Sequence, residues 1–167
     1  MGENEELCEQ AEKLANQIKQ SIVHLNNLKS LCDLCEEENK KVQFTALRAT
    51  FQVFNYLIKK KPEFIESFTI FSSQDDEHVS KKQKREEERM EIINFLNSTY
   101  KDYIDILLNQ LKSQDSIFQV QALEFLMKLV KIELETKSKL FGEEGKGWNI
   151  SYIIKNNQQL IKFFFIY

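Results

Sequence analysis

Proline occurs once in 167 residues and glycine four times. Tight turns and hairpins draw on both, so this stock argues against a sheet-rich fold and for a chain of helices. Histidine occurs only as His24 and His78. A general base is most often a positioned histidine, and neither stands in a recognisable nucleophile context. A basic excess is missing as well: the net charge is −3 and the pI is about 5.6. Phosphate neutralisation drives nucleic-acid binding, so a direct grip on RNA or DNA is not the leading expectation. No apolar run approaches the length of a membrane span. The acidic start MGENEELCEQ lacks the apolar segment of a signal peptide, and Glu6 stands where N-myristoylation needs Ser or Thr. The three cysteines are an odd count in a long chain, which fits a reducing compartment.

What is present is apolar and periodic. Apolar residues make up 42% and charged residues 29%, enough to bury a core. Leu7, Ala11, Leu14 and Ile18 repeat at helical spacing and predict a helix over 4–19. Ile22, Leu25, Leu28, Cys32 and Cys35 predict a second helical stretch over 20–36. EEENKK reads as a polar turn. The next helix, over 40–61, carries Val42, Phe44, Leu47, Phe51, Val53, Phe54, Leu57 and Ile58 on more than one side, as in a helix buried between neighbours. Lys59, Lys60 and Lys61 suit its C-terminal dipole, and Pro62 ends it.

Residues 72–80 read as a polar, acidic loop. The segment KKQKREEER extends the following helix into solvent. That helix packs through Ile93, Leu96, Tyr100, Tyr103, Ile104, Leu107 and Leu111. KSQDS is a turn with Asp115 or Ser116 as the N-cap. The helix over 117–138 again shows burial on two sides, through Phe118, Val120, Leu123, Phe125, Leu126, Leu129 and Val130. FGEEGKGW is a glycine-rich joint, and the tail from 149 opens a further helix.

The two apolar helices align with each other at an offset of 76 positions. Gln43, Ala46 and Leu47 meet Gln119, Ala122 and Leu123 as identities. Val42, Phe44, Phe51, Val53 and Phe54 meet Phe118, Val120, Met127, Leu129 and Val130. The preceding helices align without a gap, Leu28, Leu31, Cys32 and Cys35 on Ile104, Leu107, Leu108 and Leu111. Each unit is then an outer helix, a polar turn and an inner helix that stacking must bury. The expected fold is all-α, a HEAT- or armadillo-like α-solenoid of stacked helix pairs. Its repeat domain covers 1–141 with a charged insertion at about 71–90, and 142–167 form the joint and the start of another helix. Leu47, Phe51, Phe54, Phe118, Leu123, Leu126 and Leu129 are the expected core.

Motifs for chemistry are weak. CDLC has the C-x-x-C spacing, but Cys32 and Cys35 fall late in a helix and align with leucines, so they read as core packing. GEEGKG lacks phosphate-loop spacing. Lys81, Lys82, Lys84 and Arg85 read either as a nuclear import signal or as the solvated start of a helix balanced by Glu86, Glu87 and Glu88. Ser72 and Ser73, each with an Asp three residues on, suit an acid-directed kinase less well than a flexible loop. No catalytic residue, metal ligand or cofactor site is expected.

SLCDLCEEENKKVQFTALRATFQVFNYLIKKKPEFI resembles the N-terminal repeat of the nucleolar complex protein 4 family. YKDYIDILLNQLKSQDSIFQVQALEFLMKLVKIE is closer still to that family's pattern: a Tyr-led helix, a polar turn, then Ser116, Phe118, Gln119 and Val120, with Leu126 to Val130 and Glu133 after them. Ile117 interrupts the family's Ser-Phe pair. The likeness covers about 20–140. It implies a non-catalytic scaffold in the nucleolus that acts in assembly of the small ribosomal subunit. The implied partners are nucleolar protein 14 and other small-subunit processome proteins, with pre-ribosomal RNA met only indirectly and no membrane. A generic helical-repeat adaptor without a ribosomal role is the alternative, and a small enzyme using His24 or Cys32 ranks below both. The family's chains are longer, and the region they share with CCAAT-binding-factor proteins has no counterpart here. The expectation is therefore a fragment whose last apolar residues await a further helical unit.

Overall fold

The computed structural model describes residues 2–60 and 80–141. Every element among them is helical: α1 (Glu3–Gln20), a 3-10 turn (Ile22–His24), α2 (Asn27–Leu34), α3 (Lys40–Lys60), α4 (Ser80–Gln110) and α5 (Ser116–Phe141). The chain divides into two compact units, Met1–Leu129 and Val130–Tyr167, with the boundary inside α5. The packing described below belongs to the first unit.

Glu3, Glu5 and Glu6 in its first turn and Lys19 in its last match the dipole of α1. Ala11, Ala15 and Ile18 form its buried stripe. The stretch predicted over 20–36 is not one helix. Ser21 is extended (φ −151°, ψ 135°) and its hydroxyl accepts from the Val23 N–H, which ends α1 and starts the 3-10 turn. A serine oxygen offers the backbone a partner outside the helix ladder, and here that alternative wins. Ile22, expected on the apolar face, is consequently exposed, while Leu25, Leu28, Cys32 and Cys35 are buried.

In α3 burial wraps around the helix. Val42, Ala46, Ala49, Val53, Leu47, Phe51, Phe54, Leu57 and Ile58 are all buried. The helix is sandwiched. Glu5 and Glu12 of α1 reach Lys41 (3.9 Å) and Arg48 (3.2 Å) of α3, so α1 and α3 run parallel. On the other side Phe44 meets Phe118 edge to face and Phe51 stacks on Phe125, so α3 and α5 also run parallel. The three form one layer. The second layer holds α2, which packs on α1, α3 and α4, and α4, which reaches α3 through Tyr100 and Tyr103 against Phe54.

The step from α1 to α3 is short, 36 residues between Glu12 and Arg48, close to the tetratricopeptide period of about 34. Lys61, Pro62 and residues 72–79 of the loop expected at 72–80 lie outside the described residues, whereas Ser80, the last residue of that expected loop, opens α4. The joint and tail from 142 onward lie outside the described residues as well.

Candidate interaction surface

The strongest feature of the molecule is a turn built twice. Asn39 caps α3, its Oδ1 accepting from the Lys41 and Val42 N–H groups at 3.1 and 3.2 Å. Asp115 caps α5, its Oδ1 accepting from the Ile117 N–H at 3.0 Å. That settles the choice between Asp115 and Ser116 in favour of Asp115. One turn into each helix a glutamine folds back onto the end of the preceding one. The Gln43 side chain donates to the Cys35 carbonyl at 3.0 Å. The Gln119 side chain donates to the Leu111 carbonyl at 3.3 Å and to Ser113 at 2.6 Å. Asn39 and Asp115, Gln43 and Gln119, Cys35 and Leu111 all differ by the same 76 positions.

Each helix end carries orphan carbonyls and each start orphan N–H groups. The cap and the glutamine satisfy both from inside one turn. The repeat is therefore physical, and the Gln identity is the part of the sequence alignment with a hydrogen-bonding reason. Ala46 and Ala122, the second identity, are both buried. Lys40 then ties one turn to the other, its ammonium 2.6 Å from Asp115 Oδ2. Glu36, Glu37, Lys40, Gln110, Ser113 and Asp115 line a shallow polar groove between the two turns.

Of the expected core residues, Leu47, Phe51, Phe54, Phe118, Leu126 and Leu129 are buried. Leu123 is only partly covered, and Val120, expected inside, is 66% exposed. The reason is positional: the face of α5 that carries them has no helix on it among the described residues, whereas the matching face of α3 is covered by α4 and α5. Ile117 and Met127 are exposed on the same side. The opposite end of the stack differs. The exposed residues of α1 (Glu3, Glu5, Glu9, Glu12, Lys13 and Asn16 among them) are polar.

No nucleophile emerges from the thiols. Cys32 and Cys35 are buried and Cys8 is half-buried. Cys35 Sγ lies 3.5 Å from the Thr50 hydroxyl, which itself donates to the Ala46 carbonyl at 2.8 Å. Burial, then the carboxylates of Asp102, Asp33 and Glu36, pushes the Cys32 thiol up to about 12. Burial drives Cys35 higher still. A protonated thiol is neither nucleophile nor metal ligand. Nor does any group of three or more His, Cys, Asp and Glu among the described residues stand ready to hold a metal ion. His24 sits exposed in the 3-10 turn, and His78 lies outside the described residues. Lys81, Lys82, Lys84 and Arg85 belong to the first turns of α4, but their side chains are outside the described residues.

Tyr103 was legible as a core residue but not as a hydrogen-bond donor. Its ring is completely buried, and its hydroxyl donates to the Leu47 carbonyl at 2.9 Å. Burial raises its ionisation well above the ordinary tyrosine value, with Cys35 and Cys32 contributing after it.

No curated protein and no solved structure matches the chain. The family model described as "Nucleolar complex protein 4-like, TPR repeats" matches residues 2–153, a range that takes in both turns and all three parallel helices. The resemblance read from the Phe-Gln-Val segment and the twice-built turn thus agree with an independent match over most of the sequence, and the chain belongs to the nucleolar complex protein 4-like family, as an all-α helical-repeat member of it.

Proposed function

We propose that this chain is a non-catalytic scaffold in ribosome biogenesis, acting in the nucleolus during assembly of the small ribosomal subunit. The observation that carries the reading is the family match over residues 2–153. The architecture supports it: stacked helix pairs present long side-chain surfaces to partners, and the described residues are organised around packing and caps. Nucleolar protein 14 and other proteins of the small-subunit processome are the proposed partners, with pre-ribosomal RNA reached through them. The charge of −3 supports that indirect contact. Lys81, Lys82, Lys84 and Arg85 are the proposed import signal.

The test is recovery of the tagged full chain from its own cells, with proteins and RNA identified. Early small-subunit precursors together with nucleolar protein 14 are the expected result. Replacing the four basic residues by alanine is expected to leave the tagged protein in the cytoplasm. Recovery of neither precursors nor processome proteins would sink the ribosomal role and leave a generic helical-repeat adaptor.

A further inference from the structure

We draw no further inference here: the strongest candidate, the exposed apolar stripe of α5 at Ile117, Val120 and Met127, supports no proposal, since nothing in the structure shows what covers it.

Discussion

Phe51 and Phe125 lie ring on ring, 4.6 Å between centroids and 8° apart in plane. Phe44 and Phe118 meet one heptad earlier, edge to face at 77°. These two pairs set the spacing and register of α3 against α5. The α1–α3 contact is of another kind, because Ala11, Ala15 and Ala49 bring the backbones close together. One layer thus contains a narrow contact built on alanine and a wide one built on phenylalanine.

Phe125→Ala should therefore cost about 3–5 kcal/mol, since it opens a cavity where neither neighbouring helix can easily follow. Phe51→Ala should cost a similar amount. In a double-mutant cycle, measured by urea unfolding, the pair should show a coupling of about 0.5–1.5 kcal/mol. Strict additivity would mean that the rings share a core without interacting.

The helices and their apolar faces were legible because period and burial are written in the same residues. The repeat was legible too, through Gln43, Ala46, Leu47 and their partners at 76. Its meaning was not. A glutamine identity says nothing about which carbonyl it will find, and Asn39 and Asp115 differ in type although both cap. The parallel order of α1, α3 and α5 was hidden for a related reason: a 36-residue step and a step of about twice that do not look like one periodicity. Val120 and Leu123 were misplaced because an apolar residue on a second helix face reads as buried whether or not a neighbour stands over it. Periodicity reports which surface seeks cover and cannot report who provides it.

That distinction separates Leu129 from Leu123. Leu129 is 1% exposed and Leu129→Ala should cost about 2–5 kcal/mol. Leu123 is partly open, so Leu123→Ala should cost clearly less than Leu129→Ala in the same urea titration. Equal losses would place a cover over Leu123 and contradict the open stripe.

The cysteines should separate by burial. At about pH 8, close to the ordinary thiol range, iodoacetamide followed by peptide mass spectrometry should mark Cys8 alone. Cys32, pushed up to about 12, and Cys35, higher still, should react only after unfolding. Fast labelling of either in the native chain would remove the basis for reading the C-x-x-C spacing as packing.

Gln43→Met and Gln119→Met keep side-chain length and remove the donor. Each leaves the carbonyl of Cys35 or Leu111 without its side-chain partner and should cost about 0.5–1.5 kcal/mol. Matching losses at both positions would show that the two turns are equivalent in energy as well as in geometry. A neutral result at either would mean that water replaces the amide there.

Asp115 should give the fold an acid-sensitive joint between its repeats. The hydrogen bond from Lys40, and after it the Ile117 N–H, holds the carboxyl below its ordinary value of 3.8. The folded chain therefore favours the charged form. Its contribution is complete above the unfolded carboxyl's pKa and drains away as pH falls through the lower folded value. Asn39 shows what an uncharged residue does at the equivalent cap, since its amide oxygen accepts the same backbone donors. Asp115→Asn should thus keep the cap and lose only the Lys40 pair, a small loss at neutral pH for an exposed group. Thermal midpoints should then be followed from about pH 5 down to about pH 2.5, the range in which native-state carboxylates take up protons. The parent should fall more steeply than the variant, the two curves converging at the acid end. Parallel curves would mean that Lys40 and Asp115 touch without coupling, and that packing and the Tyr103 hydrogen bond to the Leu47 carbonyl hold the two repeats together without help from this ion pair.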